Sequence, residues 1–320
     1  MKLHLLLSPS HNPYENLAVE QVLLDTCPVD TLIFYLWQNA HTVVIGKHQH
    51  APSEIHLEKA HEDRVTIARR SSGGGAVYHD LGNLNFTFIA QDPIYSIPNQ
   101  MNMIANALKV LGVNAQVNGR NDIEVEGFKV SGNAFAHQKN THLHHGTLLL
   151  NVDKALLGKY LNVNPKKLQR KNVKSVAARI ENISVFKDLS LQELIQHLFE
   201  EVEKYALVKG EYLDFNTIDA KSEIQHYSNQ SYVLGDSQKN SFKFEDCFDF
   251  GCLKWEFVSQ NGIIKESHLY SDALENEWVE SLEKLVIDTS EDNLIETLLS
   301  FKDDMDQRVV SIVERLKEPQ

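Results

Sequence analysis

Cysteine is scarce in this 320-residue chain: Cys27, Cys247 and Cys252 are all it has, an odd number with most of the chain between the first and second. That supply predicts no disulfide framework and fits a reducing compartment, with the cytoplasm as the simplest setting. Long apolar runs are also lacking. Nothing approaches 18 uninterrupted apolar residues, so no membrane span is expected. The short run Leu5-Leu6-Leu7 soon meets Ser8, Pro9, His11 and Asn12, which predicts an edge strand rather than a secretory signal. Basic residues are in deficit, 31 Lys+Arg against 44 Asp+Glu, and no basic face has motif support, so no nucleic-acid partner is expected. The deficit is local. Residues 1–180 hold 18 Lys/Arg against 14 Asp/Glu, whereas residues 181–320 hold 13 against 30.

Glycine is sparse too, 15 in all, yet three stand together in Arg69-Arg70-Ser71-Ser72-Gly73-Gly74-Gly75-Ala76-Val77-Tyr78-His79-Asp80. Consecutive glycines lose much backbone entropy on folding and add no side chain to a core. Such a run makes sense where backbone N–H groups must approach something closely. Strand-like residues follow it and two arginines precede it, which predicts an anion-cradling turn between strands, its guest a phosphate or carboxylate. The alternative is a plain glycine-rich hairpin, and the paired guanidinium groups, which seek oxyanions, favour the cradle. A P-loop is excluded because Ala76-Val77 stands where Lys-Ser/Thr would be. A dinucleotide fingerprint is excluded because it spaces its glycines and opens a helix.

Hydrophobic periodicity predicts helices over 14–26, 53–61, 97–111 and 189–206, and strands over 31–37, 42–45, 65–68, 85–90, 122–125, 128–130 and 142–151. A Glu126-Gly127 turn joins two of these strands into a hairpin. Helices and strands mix without regular βα alternation. The fold class expected is therefore α+β, a large mixed and mainly antiparallel sheet flanked by helices. From about residue 245 the pattern changes to a hairpin around Asn261-Gly262 followed by helices near 277–286, 293–301 and 305–316. This divides the chain into a large domain over 1–244 and a small α+β accessory domain over 245–320.

Three more segments carry chemistry. In Gly127-Phe128-Lys129-Val130-Ser131-Gly132-Asn133-Ala134, preceded by Gly119-Arg120-Asn121-Asp122, Lys129 sits on a hairpin strand beside small residues that leave room for a ligand. It is open between an exposed strand lysine and a charge set between carboxylate and phosphate. The others are His144-His145-Gly146-Thr147-Leu148-Leu149-Leu150 and Lys171-Asn172-Val173-Lys174-Ser175-Val176, with Arg179 following.

In this order and spacing, these pieces closely resemble the lipoate–protein ligases of the biotin/lipoyl ligase superfamily. The resemblance extends to Asn16-Leu17-Ala18-Val19-Glu20, Trp37-Gln38-Asn39-Ala40 and Gly46-Lys47-His48-Gln49, dense over about the first 180 residues and weak beyond. It implies the superfamily's catalytic fold over 1–244 and a two-step reaction. Lipoate and MgATP give lipoyl-AMP, and a lysine of a 2-oxoacid dehydrogenase lipoyl domain or of the glycine-cleavage H protein takes the lipoyl group. Carried over residue by residue, Arg70, Gly75, Ala76, Val77 and Tyr78 would contact ATP or the adenylate. Lys129 would be the catalytic residue, touching both the lipoyl carbonyl and the phosphate. The segment Arg69–Ala76 would fold over the lipoyl chain and Lys171–Ala178 would close over the adenylate. No metal ligand is assigned: Mg²⁺ would sit on phosphate oxygens, with Asp122 open between a ligand and a turn residue. The chain departs from the family at Gln230–Gly235, where Tyr232 holds the place of a tryptophan-rich segment and no proline follows Gly235.

Three rival readings remain, one of them an enzyme that transfers lipoyl from preformed lipoyl-AMP but activates lipoate poorly, which sequence barely separates from the leading one. A lipoyl or octanoyl transferase of the superfamily would work through an acyl-cysteine, and the absence of cysteine between Cys27 and Cys247 disfavours it. A non-catalytic lipoate-binding protein would not need Lys129 with the complete glycine loop. His142, His144 and His145 alternate on a strand and are expected to bond backbone or water rather than a metal. Lys166, Lys167, Arg170, Lys171 and Lys174 form a basic cluster, open between a solvated face and a docking site for an acidic carrier.

Overall fold

The computed structural model describes residues 1–119, 121–162, 179–235, 242–301 and 306–317. Arg120, the basic cluster of Lys166 to Lys174 and the expected closing segment Lys171–Ala178 lie outside them. Among the described residues fourteen strands are formed: β1 (Lys2–Leu7), β2 (Thr31–Trp37), β3 (Thr42–Ile45), β4 (Thr66–Arg69), β5 (Val77–His79), β6 (Asn83–Gln91), β7 (Ala115–Asn118), β8 (Asp122–Val125), β9 (Phe128–Gln138), β10 (Thr141–Leu149), β11 (Glu211–Tyr212), β12 (Phe242–Phe248), β13 (Gly251–Gln260) and β14 (Ile263–Ser271). Eight of them make one sheet in the order β11-β1-β2-β6-β10-β9-β8-β7. Only the β11–β1 and β1–β2 pairs in that sheet are parallel, so it is mixed and mainly antiparallel, as expected. The N-terminal strand is not at the edge: the two-residue β11 pairs beyond it, and Leu5 and Leu6 are fully buried.

Helices cover both faces of this sheet. Helix α1 (Pro13–Thr26) starts at Asn12, whose side chain accepts from the Tyr14 amide, with Pro13 pre-set for the first turn. Its Leu17, Val19, Leu23 and Leu24 pack with Ile33, Tyr35 and Ile89 of the sheet. Asn16 and Glu20, four apart, bring polar groups into the same buried face. On the other face α2 (Ile97–Val110) and α3 (Leu191–Ala206) pack over Phe34, Phe86 and Phe88; α3 opens with a capping box between Ser190 and Glu193. The helix expected over 53–61 is two short ones, Ala51–Glu54 and Leu57–Glu62. Ile55 between them turns extended to bridge Leu161.

A smaller sheet, β4-β3-β5, lies beside the first and carries the glycine-rich loop between β4 and β5. The C-terminal unit is a three-stranded antiparallel sheet, β12-β13-β14, with Trp255, Phe257, Trp278 and Leu282 in its own core. Both hairpin turns read from the sequence are present. Glu126-Gly127 and Asn261-Gly262 each place two successive residues at positive φ, the backbone that joins tightly twisted strands in a two-residue turn. The cysteines correct the expectation: Cys247 and Cys252 face each other across β12 and β13 and form a disulfide. Five residues of separation is hairpin spacing, which the odd total concealed. No described helix is long and apolar enough to cross a membrane.

Candidate active site

The two arginines before the glycines do not end where paired guanidinium groups were expected to, on an oxyanion. Arg69, buried, donates to the carbonyls of Gly46, Lys47 and Gln49 and to those of Tyr232 and Val233. Arg70 turns back on the loop itself. Its Nη2 donates to the carbonyls of Gly73 at 2.6 Å and Gly75 at 2.9 Å, and its Nε to the Ser72 hydroxyl at 3.0 Å. Burial lowers the Arg70 pKa to about 10, so the guanidinium stays charged at neutral pH. It shapes the cradle by pulling the Gly73 and Gly75 carbonyls inward.

Close approach explains the glycines. A Cβ on Gly73 would lie 2.4 Å from the Ala273 carbonyl oxygen, and one on Gly46 would lie 2.3 Å from that of Gly74. Gly75 is different: nothing stands within 4 Å of its missing Cβ, and the residue is exposed. Ala76 and Val77 continue that open rim, half-buried, into β5. The Tyr78 side chain points the other way, its hydroxyl 2.7 Å from His41 Nδ1 and its ring against Tyr160. Tyr78 can therefore offer this rim only its backbone.

Lys129 reaches the site through an irregularity. Between β8 and β9 the register slips, so that Ile123 faces Ser131 while Glu124 faces Lys129, with Val130 as the extra residue. A bulge of one residue shifts the side-chain phase. Without it Lys129 and Gly132 would point to opposite faces; with it the Lys129 ammonium lies 2.8 Å from where a Gly132 Cβ would be. Further along the strand, Ala134 stands next to Gly74. The lysine and the glycine loop thus share one face of β9. Asp122 holds Lys129 Nζ at 2.7 Å and also pairs with Arg179. Its carboxylate faces two cations in the fold. Among the described residues no three His, Cys, Asp or Glu side chains are grouped to hold a metal ion.

The strand histidines bond side chains, not the backbone or water expected of them. His144 lies between Gln100 and Asn133 at 3.0 and 2.9 Å, His145 between Glu20 and Ser72, and His142 reaches Asp92. Burial holds His144 and His79 at pKa values of about 3, so both are neutral in the fold. The unfolded chain takes up protons near pH 6.5 that these rings refuse. Stability is therefore full above 6.5 and lost as pH falls toward 3, by about 1.4 kcal/mol per pH unit for each ring. Glu283 in the C-terminal unit works in the opposite sense, since burial raises its carboxyl to about 7 and the folded state keeps its proton. Acidification from pH 7.5 to 5.5 should thus lower amide protection on β10, which carries His144, by about 1.4 kcal/mol while β14 is spared. Hydrogen exchange corrected for intrinsic rates would test this; equal losses on both strands would refute it.

The C-terminal unit covers the cradle. Gly74 N–H donates to the Ala273 carbonyl at 3.2 Å, Ser271 N–H to that of His48 at 2.8 Å, and Lys47 pairs with Glu280. Near the loop, Leu274 packs against Gly74. Opposite, Gln230–Leu234 forms a short helix capped by Gly235 whose carbonyls receive Arg69, with the Tyr232 ring tilted against His226, centroids 4.0 Å apart.

The exposed rim of the glycine loop, a lysine on an adjoining strand and a small domain set over both converge on one face of β9. A family model described as the lipoyl protein ligase A/B catalytic domain matches residues 12–203, and one described as the bacterial lipoate protein ligase C-terminus matches residues 237–306. The chain belongs to the lipoate–protein ligase family and is an enzyme of that class. A lipoate-protein ligase A from Psychrobacter cryohalolentis is 36% identical over 304 residues, 91% of this chain and 90% of that one. Among solved structures, P. falciparum LipL1 in complex with lipoate superposes with a TM-score of 0.86 at 28% identity, covering 98% of this chain and 99% of its own. A lipoate-protein ligase A bound with ATP gives 0.64 at 27% identity, covering 73% and 99%. A bipartite ligase from Thermoplasma acidophilum, described with its E2 lipoyl domain, gives 0.64 at 28%, covering 76% and 100%.

Proposed function

We propose that the protein activates lipoate with MgATP to lipoyl-AMP, releasing pyrophosphate, and passes the lipoyl group to a lysine of an acceptor lipoyl domain or glycine-cleavage H protein. The observation that carries this reading is the placement of Lys129 by the Val130 bulge on the face of β9 that meets the glycine loop. Adenylation brings a carboxylate up to the α-phosphorus, so two anions must be held together. Lys129 offsets that repulsion, and the open rim of Gly75, Ala76 and Val77 offers backbone donors to the phosphate as charge builds on it. Arg70 and Tyr78 serve the nucleotide indirectly, Arg70 by fixing the loop and Tyr78 by anchoring the strand behind it. For Lys129 to engage the ligand, Asp122 must release it, and Arg179 remains as the partner that keeps Asp122 neutralised. The substrate carboxylate, then the acceptor amine, is the nucleophile. The ATP-bound and lipoate-bound relatives support this choice of substrates, and the relative with an E2 lipoyl domain supports the acceptor class. ATP as co-substrate points to the cytoplasm as the compartment, where cellular thiols would act on the Cys247–Cys252 pair. Incubation with lipoate, MgATP and each apo-acceptor, followed by mass, tests the whole reading; no mass gain on any acceptor would end it.

The cysteines separate this mechanism from an acyl-cysteine transferase. Burial pushes the Cys27 thiol up to about 11, the opposite of an activated nucleophile, and Cys247 and Cys252 are bonded to each other. Replacing all three by serine should leave lipoylation largely intact, still coupled to pyrophosphate release. A lipoyl thioester on the wild-type protein together with an inactive triple variant would overturn this in favour of the transferase.

We further propose that residues 245–320 act as a separate domain that reorients once the adenylate forms. Its contacts on the cradle are a few hydrogen bonds, exposed ion pairs and the close approach of Ala273 and Leu274 to Gly73 and Gly74, a local interface of the kind that moves. Small-angle scattering should change when a stable lipoyl-AMP analogue is added, and superimposable profiles would refute the motion.

A further inference from the structure

Glu20, Ser72 and His145 come from three distant parts of the chain, and the reaction scheme above uses none of them. They meet in a buried hydrogen-bonded line. His145 Nε2 lies 2.6 Å from Ser72 Oγ, and its Nδ1 lies 2.9 and 3.0 Å from the two Glu20 carboxylate oxygens. Thr87 donates to the same carboxylate at 2.6 Å and itself receives the Trp37 indole N–H at 3.0 Å. Glu20 and Ser72 are each 1% exposed and His145 6%.

The direction of each bond follows from the donors available. A carboxylate only accepts, so His145 Nδ1 carries a hydrogen. Ser72 Oγ already accepts from Arg70 Nε, so its own hydrogen goes to His145 Nε2. With hydrogen on Nδ1 and a lone pair on Nε2, the ring links the Glu20 carboxylate to the Ser72 hydroxyl and so to Arg70. The order resembles a serine hydrolase triad. Ser72, however, is sealed from solvent, and a guanidinium draws on its oxygen, so the hydroxyl is a fastening rather than a nucleophile.

What it fastens is the glycine loop. Three glycines in succession offer no side chain to hold, and Ser72 is the buried residue at their head. Arg70 draws the Gly73 and Gly75 carbonyls inward from the same point where it grips Ser72. The link from Ser72 to His145 ties that assembly to β10 of the large sheet, and Glu20 ties β10 to α1.

We propose that Glu20 and His145 are positioning residues for the activation step, holding Ser72 and through it the glycine loop in the shape that receives the acyl adenylate. This rests on the ligase reading, and the test keeps the two apart. Glutamine at position 145 can present its amide oxygen where Nε2 stands, accept the Ser72 hydrogen and keep Ser72. Asparagine can reach only as far as Nδ1, keeping Glu20 and losing Ser72. His145→Asn should slow lipoate-dependent ATP–pyrophosphate exchange by roughly thirtyfold to a hundredfold, the scale of a misplaced reacting group. It should also raise hydrogen exchange over residues 72–76. His145→Gln should recover most of both. Ser72→Ala should match His145→Asn, and the double variant should be no worse than either. Equal behaviour of the Asn and Gln variants, unchanged loop exchange in both, or a lipoyl ester on Ser72 would overturn the proposal. If the wild-type protein itself showed no exchange of pyrophosphate, the ligase reading would fall, while loop protection would still decide whether His145 holds the loop.

Discussion

Lys129→Ala is expected to abolish lipoylation of an acceptor domain while leaving the chain folded. The ammonium is the cation that β9 turns onto the face shared with the glycine loop, and in the reaction it stands between carboxylate and phosphate. Losing a charge-assisted contact made in the transition state costs ~3 kcal/mol or more, about a hundredfold in rate. The fold should lose far less. Lys129 is partly exposed and its partner Asp122 keeps Arg179, so no buried carboxylate is stranded. Lys129→Arg should not restore turnover, because the larger, forked guanidinium has to lie across Gly132, where even a Cβ would come within 2.8 Å of the lysine's Cε and Nζ. By the same contact Gly132→Ala should impair the enzyme with Lys129 in place. Purified variants would be assayed for mass gain on an apo-acceptor beside their melting curves. A folded Lys129→Ala protein with near-normal turnover would remove Lys129 from the mechanism.

The sequence showed where the chemistry lies more clearly than how the side chains perform it. Pattern marks α1, β2, β3 and β8 within a residue or two; β2 and β3 are legible as short continuous runs buried on both faces. The two-residue turns at Glu126-Gly127 and Asn261-Gly262 are legible because few residue pairs accept that backbone. The glycine loop falls where expected, between β4 and β5. What it does with its arginines is not legible. A guanidinium satisfied by carbonyl oxygens has the same local sequence as one awaiting a phosphate, and the acceptors for Arg69 come from residues 46–49 and 232–233. The Val130 bulge is hidden for a similar reason, since register belongs to the pair of strands and not to either one. The break at Ile55 in an otherwise helical run is imposed by Leu161, more than a hundred residues on. The Glu20–His145–Ser72 line joins three segments through hydrogen bonds that leave no periodic trace. A signal was present, however. A glutamate on the apolar stripe of α1 is costly to bury unless something donates to it, and its helical spacing from Leu17, Leu23 and Leu24 already placed it inside.

Arg69→Ala should be the most destabilising of the substitutions considered. Arg69 is 6% exposed, and its guanidinium holds five backbone carbonyls drawn from two separate segments. One segment, Gly46 to Gln49, leads from β3 toward the cradle; the other is the end of the short helix Gln230–Leu234. The Gly46 carbonyl also receives the Gln49 amide, and the cation bonds all five and offsets their mutual repulsion. Alanine would leave a cavity lined by acceptors. A buried acceptor without a partner costs about 1–3 kcal/mol, and bonds to a charged donor are at the strong end. Contributions at one centre do not add fully, which gives about 4 kcal/mol for the whole change. At roughly 2–4 °C per kcal/mol for a chain somewhat smaller than this one, the melting temperature should fall by about 10 °C. Arg69→Lys should recover little, because three hydrogens on a single nitrogen cannot span acceptors on opposite sides of a planar fork. Melting curves of the two variants would test this. A fall of only a degree or two in Arg69→Ala would mean that water fills the cavity and bonds the carbonyls as well as the guanidinium does, and that the two segments are held together by their apolar contacts.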